Sequence, residues 1–236
     1  MSDTFPITKR MQVLVDQWEQ ATDQRASFLA CYLMMTRNML AAIQEGRFHD
    51  CDWVSKLLHY FANYYFEALQ AYEQDRAATP AVWLRAHTAA VEPGTLTLQK
   101  LLLGVNAHIN YDLVLTLVDL LDAEWESMQE QIRRERYEDY CHVNQIINET
   151  IDSVQDSILE VDMPAMDVID RLFGGMDEWL ISYLISDWRE EVWQKALTML
   201  TTHAPNEREQ IRQRLEAETL ARAEAILLKG NLGAII

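Results

Sequence analysis

A chain of 236 residues is long enough for one large domain or two small ones, and 49% hydrophobic residues suit a buried core. Only 7 Gly and 5 Pro are present, too few for the tight turns of a strand-rich fold, so long helices are expected. Lys and Arg number 20 against 37 Asp and Glu, and the resulting charge of −17 argues against nucleic acid and anionic membrane as partners.

The first helix is expected from Pro6 to Ala21, where Ile7, Met11, Leu14, Val15 and Trp18 share one face. A second spans about Arg25 to Glu45 and stops at Gly46, a natural left-handed terminator. A third starts at Asp50 or Asp52, both good N-caps, and runs to about Arg76 with a dense aromatic stretch from Trp53 to Tyr72. After Thr79-Pro80 a short helix reaches Val91, and Glu92-Pro93-Gly94 breaks it. Thr95 is placed to cap a long helix from Leu96 to Leu121, apolar nearly all round and therefore expected in the middle of a bundle.

Further helices are expected at Glu124–Leu159, Ala165–Phe173, Met176–Thr201 and Glu207–Lys229, before an apolar tail at Leu232, Ile235 and Ile236. The arginines at 133, 134, 136, 208, 212, 214 and 222 are interleaved with glutamates and read as solvated, salt-bridged faces. The expected architecture is an all-α, single-domain bundle of seven to nine helices at residues 1–204. The charged helix and apolar tail at 205–236 pack on that bundle or on a partner, and a second copy of the chain is one such partner.

Cys31, Cys51 and Cys141 lie far apart, with no metal-type spacing, and fit small reduced thiols. The opening MSDTFPITKR lacks the apolar core of a signal peptide, and no run of roughly 18 uninterrupted apolar residues offers a membrane span. A cytoplasmic location without membrane contact is the expectation.

Four polar residues interrupt the apolar central helix. His108 and Asp112, spaced i, i+4, share one face; Asn106 and Asn110 share another. Burying them costs a few kcal/mol each unless partners are found. One outcome is a closed hydrogen-bond network. The other is a pocket in which His108 acts as base or ligand, Asp112 orients it, and Asn106, Asn110 and Asn144 bind a small molecule. His59 and the Tyr60–Tyr65 aromatics, Tyr64 among them, are candidate wall residues. Asp139 and His142 (i, i+3) on the Tyr137–Thr150 segment could join His108 and Asp112 around a metal, although no Glu-x-x-His or HExxH motif is present. His49, His87 and His203, near helix ends, are expected to face solvent. For Arg189 a surface salt bridge to neighbours such as Glu190 competes with a role as buried counter-ion for Asp112 or for an anionic ligand. No hydrolase elbow, phosphate loop or dinucleotide fingerprint occurs, and no cofactor is indicated.

The stretch Leu102-Leu103-Gly104-Val105-Asn106-Ala107-His108-Ile109-Asn110-Tyr111-Asp112-Leu113 resembles the signature of a bacterial family of uncharacterised all-helical proteins. The chain is similar to that family in its opening helices, the Gly46-Arg47-Phe48 turn, a Val143-Asn144 segment and a Trp-containing late helix. The resemblance covers the chain to about Thr202, with the last helix as an addition. It implies an all-helical domain and carries no established reaction, and it points to Asn106, His108, Asn110, Asp112 and Asn144. Two functional readings follow: a small-molecule-binding protein or enzyme built on that pocket, and an interaction or scaffold protein using its C-terminal helix and tail.

Overall fold

The computed structural model describes residues 5–156 and 178–228, with side chains described from 7 to 151 and from 183 to 228. The helix expected at 165–173 and the tail at 231–236 lie outside the described residues. Helix α1 is Phe5–Gln20, α2 Ala26–Gln44, α3 Cys51–Gln74, α4 Ala81–Val91 and α5 Thr97–Ala107. After a π-helical turn at His108–Asp112 come α6 (Leu113–Leu121), α7 (Glu130–Asp156), α8 (Glu178–Leu200) and α9 (Pro205–Leu228). Counting α5, the π turn and α6 as one rod gives eight α-helices among the described residues, and no strand among them. The fold is all-α and single-domain.

Local chemistry sets most boundaries. Gly46, at φ 71°, ends α2: its N–H reaches the Ile43 carbonyl and the Arg47 N–H reaches that of Ala42, each at 3.1 Å. The Asp50 carboxylate caps α3 by accepting from the Trp53 N–H at 2.9 Å. Thr95 does not cap α5; that helix opens at Leu96, whose N–H donates to the Gln99 side chain at 3.0 Å. Helix α7 begins at Glu130 rather than Glu124, because residues 124–127 form turns after α6.

The rod is the axis of the bundle. It touches α2, α3, α4, α8 and α9, and Leu103, Leu113, Leu117 and Leu121 on it are almost wholly buried. This is the placement its all-round apolarity demands. By length and mean hydropathy two helical stretches, 26–44 and 97–121, are apolar enough to cross a membrane, although polar residues interrupt both; 61% and 83% of those windows are buried inside the bundle.

Helix α9 lies on α4 and α5. It buries Leu215, Thr219, Ala223 and Ile226. The Gln99 amide donates to the Ile226 and Leu227 carbonyls, the Ala81 N–H donates to Glu216, and Arg85 pairs with Glu224. The charged residues read as a solvated face thus partly bridge helices: Arg208 joins Asp122, and Arg222 joins Glu191.

Candidate functional site

The π turn is the local feature on which the site depends. Inside it the Leu113 N–H returns to the His108 carbonyl, five residues back. Such a turn widens the helix and disturbs its hydrogen-bond ladder. Side chains serve the carbonyls there: Thr116 Oγ1 donates to the Asp112 carbonyl at 2.8 Å, and Thr219 Oγ1 of α9 donates to that of Asn110 at 3.3 Å.

His108 and Asp112 are 3% and 1% exposed. The Nδ1 of His108 lies 3.0 Å from Asp112 Oδ2. Trp83 of α4 donates its indole N–H to both carboxyl oxygens, at 3.1 and 2.9 Å. Phe61 of α3 stacks flat on the imidazole, with ring centroids 3.5 Å apart and planes 6° apart, and Tyr32 of α2 meets its edge at 4.4 Å. Burial holds the imidazole well below its ordinary pKa, and burial pushes the Asp112 carboxyl up, partly offset by the Trp83 donor. The imidazole is therefore uncharged across the physiological range. A carboxyl that keeps its proton donates to Nδ1, whereas an ionised one accepts from Nδ1–H; the pair titrates as a unit.

The other ring nitrogen, His108 Nε2, is buried and has no hydrogen-bond partner among the described residues. His108 lines a cavity of about 160 Å³ whose walls are mostly apolar, with Phe28, Phe61, Leu101, Val105, Ile147 and Leu184 among them. Tyr32 lines it too, and its hydroxyl is likewise buried without a partner. Arg189 of α8, 4% exposed, also lines the wall.

The remaining sequence candidates separate. Asn106 and Asn110 face α9 and not the cavity: Asn110 Nδ2 donates to Asn106 Oδ1 at 3.0 Å, and Asn106 Nδ2 donates to the Thr219 carbonyl at 2.9 Å. Their amide groups are engaged with each other and with α9, which occupies that side of the rod. Asn144 does not line the cavity; it accepts from Arg189 Nε at 2.6 Å. His59 is half-buried, turned back on its own helix with Nδ1 2.7 Å from the Ser55 carbonyl, and the Tyr64 hydroxyl donates to Asp119. Of the 60–65 stretch only Phe61 reaches the cavity.

The four-residue metal set does not assemble. The Asp139 carboxylate accepts from the backbone N–H groups of His49 and Asp50, closing the turn before α3, and His142 packs edge-on to Phe48. Among the described residues no group of three His, Cys, Asp or Glu could hold a metal. His87 is another correction. It is 4% exposed, stacked beside Trp83 and Tyr72, and burial drives its pKa down to about 3. His49 and His203 do face solvent, each beside a glutamate. Arg189 is neither a surface ion pair nor a counter-ion to Asp112.

Trp83 and Tyr32 as site residues escape sequence reading, whereas Phe61 belongs to the aromatic stretch expected to wall the cavity. Trp83 alone left a trace, since an indole in an apolar helix needs an acceptor for its N–H, and Asp112 is a buried acceptor.

These features define a helical-bundle domain with a buried His–carboxyl–indole chain facing an apolar cavity. The chain belongs to the Family of unknown function (DUF5995), whose model matches residues 6–229. The match runs through α9, so the last helix is part of the family's domain rather than an addition. No curated protein and no solved structure matches the chain.

Proposed function

We propose that the cavity binds a small apolar molecule through one polar group, with His108 Nε2 as its hydrogen-bonding partner. The observation that carries this is the buried, unpartnered Nε2 on the wall of an apolar cavity, with the opposite nitrogen held by Asp112 and Trp83. An unsatisfied buried polar atom costs about 1–3 kcal/mol, and a ligand that satisfies it recovers part of that. A site of mostly apolar lining with one or two convergent polar atoms is the usual make-up of a small-molecule pocket. A hydroxyl suits Nε2 in either state of the pair, since it can donate or accept. In volume the cavity resembles an apolar one of roughly 150 Å³ known to hold one benzene ring.

The His–Asp pairing also supports a second reading, proton abstraction from the bound molecule. An imidazole so far depressed is a weak base, so binding has the stronger support. A scaffold role through the C-terminal helix has less, because α9 already spends one face on α4 and α5.

The test titrates phenol and benzene into the protein and its His108→Leu variant by calorimetry. Wild type should bind phenol about tenfold more tightly than benzene, near the 1.4 kcal/mol of one buried hydrogen bond, and the variant should bind both alike. Absence of saturable binding of either compound, or a phenol preference that survives in a folded His108→Leu protein, refutes the reading.

A further inference from the structure

A second polar element of the cavity wall lies on α8. The Arg189 guanidinium is buried, yet its partners among the described residues are neutral: Nε donates to Asn144 Oδ1 at 2.6 Å and Nη2 to the Tyr140 carbonyl at 2.8 Å. The guanidinium also lies 4.2 Å from the centre of the Tyr140 ring, whose hydroxyl donates back to the Arg189 carbonyl at 2.6 Å. Among the described residues no carboxylate lies within ion-pair distance of it, in a chain of net charge −17 whose described residues form twelve other arginine or lysine ion pairs. Buried charges are ordinarily paired, because an isolated one is costly to desolvate. An arginine does not escape that cost by losing its proton. Here three contacts hold the guanidinium's position and none neutralises it.

We infer that Arg189 receives the carboxylate of an apolar monocarboxylic acid bound in this cavity, with Asn144 and Tyr140 as positioning residues and the hydrocarbon part directed along the apolar wall toward His108. The inference rests on the ligand-binding reading above and names the ligand class. A planar guanidinium with two of its nitrogens already anchored presents its remaining N–H groups in a set direction, the geometry in which it takes a carboxylate. The cavity volume matches a hydrocarbon part of about six carbons, by the same comparison with a benzene-sized cavity. A hydroxyl or carbonyl at the far end of such an acid would lie on the side of His108 Nε2.

The experiment compares hexanoate with 1-hexanol, two chains of the same length that differ in charge, by calorimetry on wild type, Arg189→Gln and His108→Leu. Wild type should prefer hexanoate by about tenfold. Arg189→Gln should lose that preference while still binding 1-hexanol, which also shows that the variant is folded. His108→Leu should keep the preference for the acid. A second readout needs no variant: carbon-13 NMR of bound [1-13C]hexanoate followed against pH. A carboxylate on Arg189 stays ionised to lower pH than in free solution. Equal binding of acid and alcohol, a preference that survives Arg189→Gln, or a bound carboxyl that protonates more readily than the free acid overturns the inference and leaves the His108 reading standing. Failure of every apolar probe to bind overturns both.

Discussion

Replacing Gly104 with alanine tests the closest approach in the site. A methyl there would lie 2.6 Å from Cδ2 and Cγ of Phe28 and 3.1 Å from its Cβ. Phe28 cannot simply swing away. Its ring is wedged among Tyr32, Tyr65, Trp83 and His108, with centroid separations of 5.6–6.0 Å. Overpacking of this kind costs about 1–3 kcal/mol, whereas alanine in a helix interior gains about 1 kcal/mol over glycine. At 2.6 Å from a wedged ring the cost lies in the upper half of that range, about 2–3 kcal/mol, so the clash wins by about 1–2 kcal/mol. For 236 residues the unfolding entropy is about 0.5 kcal/mol per degree, so the melting temperature should fall by about 2–4 °C. Because Phe28 lines the cavity, the same substitution should weaken phenol binding. Calorimetric melts of wild type, Gly104→Ala, Phe28→Leu and the double variant complete the cycle. The double variant should lose less than the sum of the singles by at least about 0.5 kcal/mol, since leucine gives the methyl room. A Gly104→Ala protein as stable as wild type, or more so, would show that α2 and α5 do not meet as closely as described.

Two more outcomes are expected. His87 has a folded-state pKa of about 3 against about 6.5 unfolded, so the unfolded chain takes up the proton first. Its contribution is complete above about pH 6.5 and is lost toward pH 3 at about 1.4 kcal/mol per unit. The stability difference between wild type and His87→Phe, from urea melts at stepped pH, should therefore slope by that amount; a flat difference would place His87 in solvent. Asn106→Ala removes the bonds to Thr219 and Asn110 and strands a buried carbonyl and amide, a loss of about 2 kcal/mol. Amide exchange should rise first along Leu215–Leu228; a uniform rise across the bundle would mean that α9 does not depend on this anchor.

Helix positions were largely legible because their signals are local. Gly46 stops α2 and Asp50 caps α3 within a few residues of themselves, and the apolarity of Leu96–Leu121 marks it as central wherever its neighbours come from. The polar pairs 106/110 and 108/112 were also legible as i, i+4 neighbours. What they face was not, because their partners lie far along the chain. Asp112 meets Trp83 on α4, and Asn106 meets Thr219 on α9. The π turn is invisible to periodicity, since a five-residue loop back uses the same residues as the α-helix it interrupts. His87 was misplaced for a related reason. It lies near the end of a short helix, which suggests solvent, but that helix is enclosed by α3, α5 and α9. Asp139 and His142 share a helix face with carboxylate–histidine spacing, and spacing cannot reveal that the carboxylate is consumed by two backbone N–H groups.

The two polar faces of the rod argue against one explanation for both. Toward α9 the network is nearly closed: Asn106, Asn110 and Thr219 exchange bonds with each other and with the backbone, leaving only Asn110 Oδ1 unpartnered. That is how polar groups that position a helix are expected to look. Toward α2 and α3 the network stays open, with His108 Nε2 and the Tyr32 hydroxyl both buried, unpartnered and belonging to residues of one cavity wall. Each open group costs about 1–3 kcal/mol relative to a satisfied one, so leucine and phenylalanine at these positions would serve a purely structural core better. Asp112 and Trp83 nevertheless hold the imidazole on its far side. An orientation maintained behind the ring, with Nε2 unpartnered among the described residues, is the arrangement that the proposed ligand-binding role requires.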